Sequence, residues 1–272
     1  GDLVSGVAEG DRVAISPRFT SVATEESLGG NHHLDHRYGI FGETRDGTCA
    51  EYVSVPAANL LSMPDDMTFE DAAAIPLAAL TAHHMIADRA RVRPGMDVLI
   101  HAAGSGVSIY AIQIARLYGA RVFATSSSDD KLERARMLGA EVLINYAQEG
   151  WVKRVKEATD RRGVDVVIDH VGEATFTGSL RSLARGGSIV TCGATSGPKL
   201  EVDLRLIFFK SLSILGSTMG GMGEMLQVWR LACRGQIRPV VDRVLPLSEA
   251  ATGHRALEER AAFGKVILVP GE

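Results

Sequence analysis

Apolar positions change their rhythm along this chain. From Asp97 onward, short apolar runs alternate with stretches whose apolar residues recur every three or four positions. The runs predict strands at 97–102, 121–125, 142–145, 164–169, 188–193 and 212–217. The stretches between them predict helices at 105–118, 129–138, 148–160, 173–184 and 203–210. Ser128-Asp129-Asp130 reads as a cap for the second of these helices, and Gly139 closes it. Such alternation builds a parallel sheet with helices on both faces, and right-handed crossovers make it doubly wound. The first 75 residues read differently. They are rich in Gly and Pro, with short β-like pieces at Arg12–Ser16 and Cys49–Val55 and a turn at Arg45-Asp46-Gly47. Beyond the alternating region come a helix at Glu224–Gly235, an apolar run at Val240–Leu245, a helix at 248–259 and a strand at Lys265–Val269.

Within the alternating region, residues 96–126 carry the most chemistry. Val98–Ala103 has the profile of a buried parallel strand. Gly104-Ser105-Gly106-Val107-Ser108 follows, where small side chains let the backbone turn tightly. Ile109, Ile112, Ile114, Ala115 and Leu117 then mark one helix, which Gly119 stops. Gly104 and Gly106 match the first two glycines of GxGxxG, and Ile109 takes the third place; in the other frame Ala103, Ser105 and Ser108 are all small. A diphosphate over that turn meets free amides and the positive end of the helix dipole. This predicts a nicotinamide dinucleotide cofactor. NAD-selective sites end the second strand on an acid that holds the ribose 2′-OH. Ser126 occupies that position here, and Lys131 lies a turn further on, a pattern that favours NADPH, against which Asp129 and Asp130 count.

Composition narrows the class. A chain of 272 residues, 46% hydrophobic and 23% charged, suits an ordinary globular protein of two domains. A net charge of -4 gives no footprint for nucleic acid or an anionic membrane. No apolar run is long enough to span a bilayer, and no signal-peptide pattern opens the chain. Cys49, Cys192 and Cys233 are too few and too scattered for a disulfide framework, so a reducing cytoplasm is expected. The chain opens at Gly1 rather than Met, which reads as a fragment or a processed product.

Several segments together resemble the medium-chain dehydrogenase/reductase superfamily. They are Gly10-Asp11-Arg12-Val13, Tyr52-Val53-Ser54-Val55-Pro56, Ala73-Ala74-Ile75-Pro76-Leu77, Leu80-Thr81-Ala82, the turn at 102–108, Gly139-Ala140, Ile144-Asn145-Tyr146, Gly163–Asp169, Gly186–Gly193 and Phe263–Val266. The branch they resemble is that of the zinc-binding dehydrogenases and quinone oxidoreductases. The resemblance implies a doubly wound Rossmann domain over 76–239 and a partial GroES-like β-barrel substrate domain over 1–75, completed by about 240–272. It also implies that an N-terminal part carried by family members is missing here. A homodimer joined through the edge strand around Ser213–Ser217 is a further implication. By the same resemblance, Thr81, Gly104, Ser105, Gly106, Val107, Val171, Cys192, Gly193, Leu215, Phe263 and Lys265 contact the cofactor, and Ser126, Lys131 and Tyr146 surround a 2′-phosphate. The minor alternative reads Lys131 as a solvated helix residue and Tyr146 as a strand-end packing residue.

Metal chemistry is not expected. Ser21, Thr24, Ser27 and Asp35 stand where relatives carry four zinc-binding cysteines, and neutral hydroxyls do not replace thiolates. Leu77 takes the place of a catalytic-zinc ligand. His32, His33, Asp35 and His36 read as a solvated polar loop, with metal binding as the minor alternative. His170, at a strand end, is a weak candidate for the proton donor, and Cys192 is expected to pack rather than react. His83 and His84 are expected on a helix, one buried and one exposed. The reading is a zinc-independent, NADPH-dependent oxidoreductase that delivers hydride to an activated C=C or a quinone. A zinc-dependent alcohol dehydrogenase and a repurposed, non-catalytic cofactor-binding member are the alternatives.

Overall fold

The computed structural model describes residues 4–19 and 23–271. By its internal contacts the chain divides into two compact units, residues 81–218 and a discontinuous one of residues 1–80 with 219–272.

In the discontinuous unit, β1 (Val13–Ile15), β2 (Arg18–Phe19), helix α1 (Glu25–Leu28), β3 (Gly39–Ile40) and β4 (Leu60–Ser62) come first. β1 pairs antiparallel with β4, and β2 with β3, giving two short ribbons. Helix α2 (Phe69–Ala74) follows, capped by the Thr68 side chain accepting from the Asp71 amide. The expected strand at Cys49–Val55 does not form, because no neighbouring strand takes its backbone groups and Tyr52 stands 92% exposed. Helix α3 (Pro76–His83) is mostly apolar and buried along its length, with Leu77 the exposed exception. It continues into a π-type turn at His84–Arg89, and both His83 and His84 are buried, so the expectation of one exposed ring fails.

The contiguous unit holds a six-stranded sheet built from β5 (Asp97–Ile100), β6 (Arg121–Ser126), β7 (Val142–Asn145), β8 (Val164–Asp169), β9 (Leu183–Thr191) and β10 (Ser213–Gly216). Its order is β10-β9-β8-β5-β6-β7 and every pairing is parallel. Strands grow outward from β5 in both directions, the doubly wound arrangement the alternation predicts. Between them run α4 (Gly106–Leu117), α5 (Asp129–Leu138), α6 (Trp151–Glu157), α7 (Phe176–Ser182) and α8 (Leu204–Phe208). Leu99, Phe123, Val167 and Ile189 line up across the central strands and pack with Val155 and Leu180 as one core. At the N-terminal edge of the sheet, Asp97 accepts from Arg121 at 2.6 Å and from Arg162 at 2.7 Å, and Asp165 accepts from Arg162 at 2.5 Å. Burial works against the Asp165 carboxylate, but the Arg162 hydrogen bond, the hydrogen bond from the Asp97 amide and the Arg162 charge together more than offset it and hold the group below its ordinary range.

Residues after 218 return to the discontinuous unit. Helix α9 (Met222–Cys233) buries Met225, Val228 and Trp229, and the Trp229 indole donates to the Ser62 carbonyl at 2.9 Å. That contact places the helix beside β4 rather than in the 76–239 domain expected from sequence. β11 (Val241–Pro246) and β12 (Lys265–Val269) form a parallel pair bridged by α10 (Ala250–Glu258).

Candidate nucleotide-binding site

The C-terminal ends of β5, β6, β8 and β9 carry the candidate groups. Ser105 is the N-cap of α4, its hydroxyl oxygen accepting from the Ser108 amide. Gly106 and Val107 occupy the first helical positions, whose N–H groups have no intrahelical acceptor. Gly104, Ser105, Gly106 and Val107 are all half-buried, so this head of the helix is accessible. Positive dipole and free amides together make an anion cradle.

Behind the cradle lies a buried polar network that sequence reading did not assemble. His101, at the end of β5, is 1% exposed. Its Nδ1 lies 2.9 Å from Thr125 Oγ1 and its Nε2 2.9 Å from Ser179 Oγ. Ser179 donates in turn to the Asp169 carboxylate at 2.9 Å. Asp169 also accepts from the amides of Val171 and Gly172 and from the Thr175 hydroxyl. Burial pushes His101 down to about 4, against the opposing pull of Asp169, so the ring is neutral near pH 7. A histidine inside the apolar run Val98–Ala103 was the available signal, since a polar side chain in a buried strand must be paired.

His170 is likewise buried, its Nε2 2.9 Å from Ser108 Oγ and 3.1 Å from Ser105 Oγ. Burial lowers its pKa. Both contacts point back into the head of α4, which leaves little to support the proton-donor expectation. Beyond it, the loops after β8 and β9 are zipped together: Ser196 N donates to Val171 O at 2.8 Å and Glu173 N to Gly197 O at 3.2 Å. A Cβ on Gly193 would sit 3.2 Å from the His170 carbonyl, so glycine lets the two loops approach. The zipper brings Val171, Cys192 and Gly193 to the same end of the sheet, beside Leu215 of β10, which pairs with Val190. Burial raises the Cys192 thiol to about 11, with Asp169 adding to it, so the thiolate is scarce and the residue is a packing group.

On the other side of β5, Ser126 ends β6 and its carbonyl accepts from the Tyr146 amide at 2.9 Å. Ser128 caps α5 through the Lys131 amide. The sequence-predicted Ser126, Lys131 and Tyr146 therefore gather around one strand end. Asp129 joins them, its carboxylate accepting from the Asn145 side-chain Nδ2 at 2.8 Å.

Three predicted contacts lie elsewhere or inside. Thr81 is buried in α3. Phe263 belongs to the discontinuous unit and is 1% exposed, its ring packed in the core there. Lys265 lines a cavity of about 520 Å³ in that same unit, among Val13, Ile15, Phe69, Leu77 and Ile267, and burial lowers its pKa.

The zinc-lobe positions take a different form. Ser21 lies outside the described residues. Thr24 caps α1, Ser27 closes the capping box, and Thr24 Oγ1 donates to Asp35 at 2.7 Å. Asp35 also accepts from the Arg37 amide at 2.9 Å and is buried, which corrects the expected solvated position at that residue, while His36 is exposed. Hydroxyls spent on capping and on a carboxylate do not fit a tetrahedral thiolate zinc site. Leu77 offers only hydrocarbon. Among the described residues no three His, Cys, Asp or Glu side chains converge to hold a metal ion.

Comparisons with known proteins agree with this architecture. The zinc-binding dehydrogenase family model matches residues 106–234, and the alcohol dehydrogenase GroES-like domain model matches residues 1–65. A quinone oxidoreductase of Pseudomonas aeruginosa is 35% identical over 82% of this chain and 72% of its own length. The crystal structure of an NAD-dependent alcohol dehydrogenase superposes with a TM-score of 0.95 at 49% identity, covering 98% of this chain and 78% of that one. A 2-octenoyl-CoA carboxylase reductase, solved with NADP and 2-octenoyl-CoA, gives a TM-score of 0.88 at 33% identity over 96% of this chain and 63% of its own. With a parallel sheet wound around β5, a GroES-like domain and these relatives, the chain belongs to the medium-chain dehydrogenase/reductase superfamily of oxidoreductases, in the zinc-binding-dehydrogenase and quinone-oxidoreductase-like branch.

Proposed function

We propose that the chain uses NADPH to reduce an activated C=C bond or a quinone, without zinc. The observation that carries the reading is the α4 cradle, a half-buried helix head with free amides at Gly106 and Val107, beside a strand whose end carries Ser126 in place of an acid. The amides of Gly106 and Val107 hold the diphosphate. Ser126, Lys131 and Tyr146 take the 2′-phosphate, where a carboxylate at the Ser126 position would repel it. Backbone groups of Cys192, Gly193 and Leu215 hold the carboxamide and so fix which ring face is presented. When bound, the reduced nicotinamide supplies hydride. Proximity and orientation then carry most of the rate, because the acceptor is already electrophilic. Relatives named as a quinone oxidoreductase and as a 2-octenoyl-CoA carboxylase reductase support that acceptor class. The working form we propose is a cytoplasmic homodimer; β10, an edge strand with Ile214 43% exposed, is the element available for joining two sheets.

A second reading uses NADH on an alcohol or aldehyde. Asp129, fixed by Asn145 beside the ribose end, favours it, as does the name of the relative at 49% identity. Fluorescence titration with both nucleotides separates the two: tighter binding of NADPH by tenfold or more supports the first, and tighter NADH the second. Loss of dihydronicotinamide absorbance with a panel of quinones, enones and enoyl thioesters tests the reaction. One zinc per chain by elemental analysis overturns zinc independence.

A further inference from the structure

We propose that His170 is a positioning residue that turns the Ser105 hydroxyl proton outward, making Ser105 a donor to a diphosphate oxygen of the bound dinucleotide. The inference rests on the nucleotide-binding reading above and concerns how that cradle is preset.

A serine hydroxyl has one proton to give and two lone pairs to receive with. Ser108 spends its proton on the His101 carbonyl at 2.6 Å. Its oxygen therefore meets His170 Nε2 at 2.9 Å as an acceptor, and Nε2 must carry a hydrogen. The buried His170 ring is thus fixed as the Nε2–H tautomer. Ser105 Oγ, 3.1 Å from the same Nε2, faces that same donor and is an acceptor too. It also accepts the Ser108 amide at 3.4 Å, as the cap of α4. With both lone pairs engaged from behind, the Ser105 proton has only the open side left. That side is the head of α4, where the Gly106 and Val107 amides have no intrahelical acceptor and stand ready for an anion.

The arrangement differs from a cradle made of amides alone. A hydroxyl left to rotate would pay for being oriented when an anion arrives, whereas one held from behind is oriented beforehand. Carboxylate help comes from a distance: the neighbouring Asp169 is bound to Val171, Gly172, Thr175 and Ser179, and so anchors the strand end that carries His170.

The test is a double-mutant cycle on the whole chain, read by NADPH and NADH titration, with ¹⁵N-histidine NMR of the unliganded protein. Ser105→Ala is expected to weaken both nucleotides roughly tenfold or more, the range for a lost hydrogen bond to a charged group. His170→Leu is expected to weaken them similarly, and the double variant no more than either single one. His170→Gln, whose amide N–H can donate in place of the ring, restores most of the affinity, and a single cooperative thermal transition for each variant shows that it folds. The NMR spectrum shows the His170 ring protonated at Nε2 and bare at Nδ1. Additive losses, unaltered binding by Ser105→Ala, or an Nδ1–H ring would each overturn the proposal. Wild-type protein that binds neither nucleotide while keeping the Nε2–H ring sinks the nucleotide-binding reading itself, and the donor role with it.

Discussion

Two buried histidines, His101 and His170, sit side by side at the strand ends and answer to different neighbours. His101 is neutral because burial outweighs the attraction of Asp169. The consequence for stability has a definite sign. Its folded pKa, about 4, lies below the ordinary value of 6.5 in the unfolded chain. Above pH 6.5 neither state binds the proton, so the group is silent. Between 6.5 and about 4 the unfolded chain binds it and the folded chain does not, so stability falls as the pH falls. A shift of this size corresponds to about 3 kcal/mol at most. Urea midpoints measured from pH 7 to pH 4 should drop accordingly, and a His101→Gln variant should flatten that drop while being less stable at pH 7. Asp169 is the other pivot. Asp169→Ala leaves the Val171 and Gly172 amides without their acceptor, while the Ser179 and Thr175 hydroxyls fall back on the Thr175 and Gly172 carbonyls, and is expected to cost about 3 kcal/mol, read by chemical denaturation. Neither histidine's role could be read from the chain. Sequence places both at strand ends, but only the fold shows that Ser108, Ser179 and Thr125, distant in sequence, arrive within hydrogen-bond reach.

Strands and helices of the Rossmann unit were legible because their burial follows their period. β7, β8 and α5 begin and end where the apolar pattern predicts them, and Ser128 and Gly139 cap α5 as its composition suggests. The N-terminal region was less legible for the opposite reason: its strands are two or three residues long, too short to show alternation. Cys49–Val55 is β-like in composition and forms no strand, since composition supplies no partner. Turn geometry gives the sharpest prediction at this scale. Gly163 enters β8 at φ +94°, and a Cβ there would lie 2.5 Å from the Ser182 carbonyl. Gly163→Ala should therefore lower stability by about 2 kcal/mol through strain and a displaced β9 start, measured as a shifted denaturation midpoint with an unchanged slope. Removing the ring of Phe123, buried at the centre of the sheet, should cost about 3–5 kcal/mol in the Phe123→Ala variant.

At the scale of the whole chain, a ligand that binds only the folded Rossmann unit stabilises it by mass action. With nucleotide at a hundred times its dissociation constant the gain is about 2.7 kcal/mol, which calorimetry should show as a raised transition. NADPH should raise it further than NADH at equal concentration; the reverse order supports the Asp129 reading. Chain connectivity has its own result. Residues 81–218 are contiguous, whereas the other unit needs both the segment before them and the segment after them. On a ribosome, the middle of the chain can close its sheet as soon as β10 has emerged, while β4 still waits for Trp229 and the β11–β12 pair to be made. Nascent chains arrested far enough past residue 218 for β10 to have cleared the exit tunnel should accordingly yield a protease-resistant fragment from the middle of the sequence and leave its opening residues open to cleavage.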